Sequence, residues 1–228
     1  MSSTPNELAQ QLLLAVKMQQ DSQPLQDQLA QLTLDQLEGD LSLAKRQKAF
    51  WINCYNAYFL ILRRDQQVDK SDIYTKAFFT IAQQKFSLDD VEHGILRRFR
   101  YKYSLGYWPQ LFVPAHIRRL AVEAVDYRIH FALNCGAKSC PPIAFYTPKD
   151  LSKQLNAATQ SFLEQETDFD DERKIVHTTR LFLWYLGDFG SPWGIRQIFK
   201  AQLNKDIRGY KIKYKRYSWD EDLDNFVS

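Results

Sequence analysis

Long apolar runs are missing from this sequence. Nothing in its 228 residues approaches the roughly 18 consecutive apolar positions of a membrane-spanning helix, so no membrane partner is expected. The N-terminus, M-S-S-T-P-N-E-L, lacks the basic stretch and adjoining apolar stretch of a secretory leader. Cysteine is scarce. Three residues form no dense disulfide framework and suit a reducing compartment, so the expectation is a cytoplasmic protein, with a removed leader as the alternative. An excess of charge of one sign is absent as well: 30 basic residues against 27 acidic ones leave +3, too little to dictate a polyanionic partner. The basic and aromatic residues of 97–110 have the palette of a nucleic-acid stacking surface, yet no fold-specific motif accompanies them, so no nucleic acid is expected either. Arginine stems lying against rings in a long aromatic loop explain them as well. Asp-Phe-Gly at 188–190 occurs without the Gly-rich loop, H-R-D loop or strand lysine of a kinase, and no cofactor is implied.

What is present is a generous supply of core: 45% hydrophobic residues, 14% of the chain aromatic. Pro5 followed by Leu8, Leu12, Ala15 and Val16 predicts an amphipathic helix, and Leu25, Leu29, Leu32 and Leu37 predict a second. These make a helical extension over residues 1–40, ahead of one domain over 41–228; the leucines are core, or a surface for a protein partner or self-association. Residues 42–64 predict a third helix. Its middle, F-W-I-N-C-Y-N-A-Y-F-L-I-L, is apolar nearly all round, which marks a central helix. A short extended hairpin is expected within 74–86, and S-L-D-D at 87–90 caps a short helix carrying Glu92 and His93. Gly94 within that helix points to a close backbone approach. Further helices are predicted after Pro114, from Thr147-Pro148, and over 194–203; strands are predicted at 174–179 and in the lysine-alternating K-I-K-Y tail.

The chemistry-bearing stretch is R-I-H-F-A-L-N-C-G-A-K-S-C-P-P, residues 128–142. Ile129, Phe131 and Leu133 alternate with Arg128, His130 and Ala132 as in a covered strand, and Asn134 and Gly136 end it. A loop leaving a buried strand presents Cys135 and Cys140 where reactive groups are usually carried. A nucleophilic thiol needs a base within hydrogen-bond reach and a group that orients the base. The candidates are Cys140 as nucleophile, with Cys135 as its substitute, His93 or His130 as base, and Glu92 or Asn56 as orienter. Asn53, Asn56 and Asn134 are candidate substrate-binding amides; their alternative role is to bond neighbouring loop backbone. A five-residue cysteine spacing with only His130 nearby does not suggest zinc, whereas a small disulfide loop is geometrically possible. Cys54, on the central helix, reads as a small hydrophobe, and His116 and His177 carry no role.

F-W-I-N-C-Y-N-A (50–57), F-S-L-D-D-V-E-H-G-I-L-R (86–97), H-F-A-L-N-C-G-A-K-S-C-P-P (130–142) and W-Y-L-G-D-F-G (184–190) resemble, in order, the blocks of the DUF547 family. The resemblance implies an α+β fold similar to papain-like and transglutaminase-like cysteine hydrolases, with a central helix and surrounding helices on an antiparallel sheet. Asn53 and Asn56 stand in the segment where those enzymes place a helix-opening nucleophile, so any thiol chemistry falls to the 134–141 loop. The expected function is a thiol-dependent hydrolase or transferase acting on a peptide-like or thiol-containing small molecule. The alternative is a non-catalytic module that binds a small-molecule or peptide ligand.

Overall fold

The computed structural model describes residues 3–227. At its centre is α4 (Ala44–Leu60), continued by a π-helical turn over Ile61–Asp65; every residue from Ala49 to Leu62 is buried. A helix apolar on all sides can only be an axle with neighbours on every side. The principal neighbour is α1 (Pro5–Lys17), which opens with a capping box between Thr4 and Glu7 and buries Leu8, Leu12, Leu13 and Val16 in the same core as α4. Part of the expected extension, α1, is therefore packed into the core of the domain it precedes. At roughly 1.5–3 kcal/mol per buried leucine or valine, α1 is part of the domain's foundation, and those leucines are not free for a partner. The expected second helix is two, α2 (Gln23–Gln31) and α3 (Leu34–Asp40), because Thr33 starts a capping box of its own with Gln36.

The hairpin β1 (Phe79–Ile81) and β2 (Gln84–Phe86) is antiparallel, with Phe79 opposite Phe86. Ser87 and Asp90 exchange reciprocal bonds and start the π-helical segment Asp90–Leu96. Gly94 meets the expected close approach there: a Cβ at that position would lie 2.7 Å from Ile117 Cγ2, on α5 (Ala115–Leu120).

The strand expected at 128–133 is a 3-10 helix, Tyr127–Phe131. Asp126 caps it by accepting from Arg128 N, and among the described residues no strand pairs with this segment. Next comes α6 (Leu151–Glu166), starting three residues later than a Thr147 cap with Pro148 first would place it, because Thr147 Oγ1 caps a preceding turn through Asp150 N. The acidic stretch that follows α6 contributes β3 (Asp168–Asp170), antiparallel to β4 (Ile175–Thr178); after α7 (Leu181–Trp184) and α8 (Ser191–Leu203), β5 (Lys211–Tyr214) joins β4 in parallel. The architecture is α+β, but the three-stranded sheet is mixed rather than purely antiparallel, and the face of α4 is covered chiefly by α1. A second apolar cluster, built on Phe131, Phe162, Phe182 and Phe199, joins that sheet to α6 and α8. Among the described residues no helix is long and apolar enough to cross a membrane.

Candidate functional site

Two asparagines of α4 set the frame. Asn53 donates Nδ2–H to Tyr146 O (2.8 Å) and accepts from Tyr146 N (3.0 Å); Asn56 donates to Ala132 O (2.9 Å) and accepts from Asn134 N (3.0 Å). Each fully buried amide thus mimics a strand partner for backbone that has no sheet to join. Asn134 repeats the device within its own loop, donating to Pro141 O (2.8 Å) and accepting from Gly136 N (2.6 Å). None of the three, expected as substrate-binding amides with Asn56 also a candidate orienter, lines the cavity described below. Their donors and acceptors are taken by backbone.

The loop they hold carries Cys135 and Cys140 joined as a disulfide, Sγ–Sγ 2.13 Å. As the protein stands, neither sulfur is a thiol, so the nucleophile expected at Cys140 or Cys135 exists only in the reduced form. Cys140 Sγ accepts from Cys135 N (3.0 Å) and lies 3.1 Å from the Tyr217 hydroxyl, which is also 3.3 Å from Cys135 Sγ. Tyr217 arrives on the C-terminal tail, which folds back along the loop: Lys138 N donates to Asp220 O, Asp222 N to Gly136 O and Ile143 N to Asn225 O.

The disulfide lines a cavity of about 210 Å³ whose wall also contains Glu92, His93 and His130, the complete set of candidate catalytic side chains. Leu133, Pro141 and Leu181 add apolar surface, and Tyr55, Tyr74, Trp184, Tyr185, Tyr217 and Trp219 add aromatic surface. Beneath it runs a buried ionic chain. Arg97, fully buried, donates from Nε to Asp188 Oδ2 (2.5 Å) and from Nη1 to His93 Nδ1 (2.8 Å), and its guanidinium carbon sits 4.6 Å from the Tyr185 ring centre. His130 Nε2 lies 2.9 Å from the same Asp188 oxygen, with its ring stacked 3.9 Å from that of Tyr185. Glu92 accepts from Tyr185 (2.9 Å) and Tyr55 (3.2 Å).

Donor rules assign the tautomers. Arginine has no acceptor, so His93 Nδ1 must be unprotonated and His93 is neutral. A carboxylate only accepts, so His130 carries its proton on Nε2, which leaves Nδ1 with a lone pair and no hydrogen-bond partner among the described residues. Burial pushes the pKa of both imidazoles below the ordinary histidine value, outweighing the acids that raise it: Glu92 and Asp89 at His93, Asp188 and Glu92 at His130. Burial works to raise Glu92 and Asp188, yet both lie below the ordinary carboxylate value: with the imidazoles neutral, the charge of Arg97 and the Tyr185 hydrogen bond hold Glu92 down, and hydrogen bonds from His130 and Arg97 hold Asp188 down. Glu92 Oε1 is 3.5 Å from His93 Nδ1, too far to orient it.

The residue that sequence reasoning missed is Asp188. Its tripeptide looked like a chance match to a kinase signature, whereas Gly187 is there for a close approach: a Cβ on it would come within 2.6 Å of the Gly106 carbonyl carbon, and its N–H donates to Leu105 O (2.7 Å). That contact seats Asp188 against Arg97 and His130. Tyr217 and Trp219 were also missed, since nothing local ties a C-terminal tail to a loop some eighty residues earlier.

The family model described as a protein of unknown function, DUF547, matches residues 39–163, more than half of the chain. The chain belongs to the DUF547 family. No curated protein and no solved structure matches it, so the papain-like likeness has no independent support. The matched span contains the DUF547 chain's α4, its Glu92-His93 helix and its cysteine loop, while Leu181, Trp184, Tyr185, Tyr217 and Trp219 complete the cavity from outside it and Asp188 lies beneath it.

Proposed function

We propose that the DUF547 cavity is the active centre of a thiol-dependent hydrolase or transferase, latent while Cys135 and Cys140 are joined, that acts on a peptide-like or thiol-containing small molecule. The observation that carries this reading is the meeting in one cavity of both sulfurs, two imidazoles and a carboxylate. A dithiol reductant opens the disulfide by exchange, taking up two electrons and leaving two thiols. Cys140 is the better nucleophile: the Cys135 N–H and the Tyr217 O–H already aim at its sulfur and favour the thiolate. His130 serves as base through Nδ1, with Asp188 holding the Nε2–H tautomer and stabilising the imidazolium that forms. His93 is less suited, because Arg97 occupies the lone pair a proton would need. The Cys140 thiolate adds to the carbonyl carbon, the His130 imidazolium gives its proton to the leaving amine or thiol, and a thioester remains on Cys140. Water or an acceptor amine then releases the acyl group.

The disulfide itself favours a second reading, a non-catalytic ligand-binding module whose loop is stapled for shape. A p-nitrophenyl ester of a small amino acid separates the two. With the reduced protein the first reading expects a burst of nitrophenol and an acyl adduct on the Cys140 peptide, both lost in Cys140→Ser and absent without reductant. An adduct that forms equally in the oxidised protein, or no adduct after reduction, overturns it.

A further inference from the structure

The cavity's aromatic wall has an electrostatic consequence that the thiol chemistry leaves unused. Trp184, Tyr217 and Trp219 pack on one another with ring centres 4.7–5.6 Å apart. Trp219 is 62% exposed, at the mouth, and Tyr217 is nearly buried. Tyr55 and Tyr74 complete the wall, whereas Tyr185 is already occupied by Arg97 and His130. No lysine or arginine lines the cavity. The charges around it do not cancel. Glu92 and Asp188 are carboxylates, Arg97 is the one guanidinium bonded within the chain, and both imidazoles are neutral, so two negative charges meet one positive. Asp89, on the outer side of His93, is matched by Lys102 at 2.7 Å. Arg97 bonds Asp188 directly beneath the cavity, whereas Glu92, itself in the wall, accepts side-chain hydrogen bonds only from Tyr55 and Tyr185 among the described residues, so the charge least neutralised by direct contact is that of Glu92.

We infer that this cavity takes a small organic ammonium ion, with the cation against Glu92 and the rings of Trp184, Tyr217 and Trp219. Each Glu92 oxygen accepts one phenolic hydrogen bond, which leaves lone pairs for the N–H groups of a primary ammonium. Aromatic faces attract a cation through the ring quadrupole, most strongly when water is excluded. At about 210 Å³ the space lies below the roughly 300 Å³ at which drug-sized pockets begin, which suits a molecule of single-amino-acid or dipeptide size. Such an amine places the substrate's positive end at Glu92 and its carbonyl toward the sulfurs. The inference thereby rests on the proposed active centre while being measurable without turnover.

The experiment is titration of the full chain with n-butylammonium and, separately, with 1-butanol, which matches it in size and keeps one hydrogen-bond donor but carries no charge. Calorimetry and tryptophan fluorescence are read in both the oxidised and the reduced protein. The expected result is binding of the ammonium at least tenfold tighter than the alcohol, with the preference abolished in Glu92→Gln and reduced several-fold in Trp219→Leu. Trp219 is exposed enough that its loss leaves the fold intact, so a Glu92→Gln variant that fails to fold does not remove the test. Equal binding of the two probes, no binding of either, or a full preference retained in both variants overturns the inference. Ammonium binding without acylation of reduced Cys140 refutes only the proposed chemistry; acylation without an ammonium preference refutes only the assignment of the ligand.

Discussion

Replacing Asn56 by alanine isolates what the central helix does for the cysteine loop. The side chain is fully buried and makes two bonds, to Ala132 O at 2.9 Å and from Asn134 N at 3.0 Å. Alanine removes both partners and leaves a backbone carbonyl and a backbone N–H in a dry interior. Each such orphan costs roughly 1–3 kcal/mol, so the loss should total about 2–6 kcal/mol, a large share of the 5–15 kcal/mol typical of a domain. In urea unfolding, with a slope of about 2 kcal/mol/M, the midpoint should fall by roughly 1–3 M at unchanged slope. Asn56→Asp should be worse still, since it keeps the acceptor, loses the donor and adds an unpaired buried charge. Hydrogen exchange at the Asn134 amide should accelerate by more than global destabilisation explains. A loss under about 1 kcal/mol, with Asn134 as protected as before, would refute the claim that the amide stands in for a missing strand.

Two other outcomes follow from the same geometry. Reducing the disulfide opens a loop of six residues, for which chain entropy alone gives about 2 kcal/mol, so thermal unfolding with and without reductant should differ by several degrees and no more. His93 and His130 have pKa values lowered by burial, so below about pH 6.5 the unfolded chain binds more protons than the folded one. Stability from these residues is present above that value and is lost as pH falls toward their folded pKa values; chemical denaturation between pH 7 and 5 should show the decline, and a His93→Gln, His130→Gln double variant should flatten it.

The sequence made some parts of this site plain and concealed others for physical reasons. The apolar circumference of α4 demanded a central helix, and a buried amide can only sit there bonded, which made a backbone role for Asn53 and Asn56 one of two legible readings. Ser87, Asp90 and Gly94 were legible because capping and close approach act over a few residues or at a single Cα. Residues 128–133 misled because alternation over six positions does not separate a strand from a tight helical turn between buried surfaces; Asp126 and Asn56, which decide the matter, sit outside the pattern. The fate of α1 was undetermined by its amphipathic spacing, which is the same for a helix buried on its own domain and one offered to a partner. Asp188 and Tyr217 reach the site only through contacts made across the chain, and such contacts leave no local signal.

The central proposal is that reduction frees Cys140 as a nucleophile in the cavity that His130 also lines, with the Cys135 N–H and the Tyr217 O–H at its sulfur and Asp188 bonded to His130. The most direct measurement is the pH dependence of iodoacetamide labelling of the reduced protein, followed peptide by peptide by mass spectrometry. Cys140 should react with an apparent pKa well below the ordinary value of about 8.5, and Asp188→Asn should move it back toward that value, while buried Cys54 stays unlabelled in the folded protein. Titration of Cys135 and Cys140 alike near 8.5, unaffected by Asp188→Asn, would contradict the account.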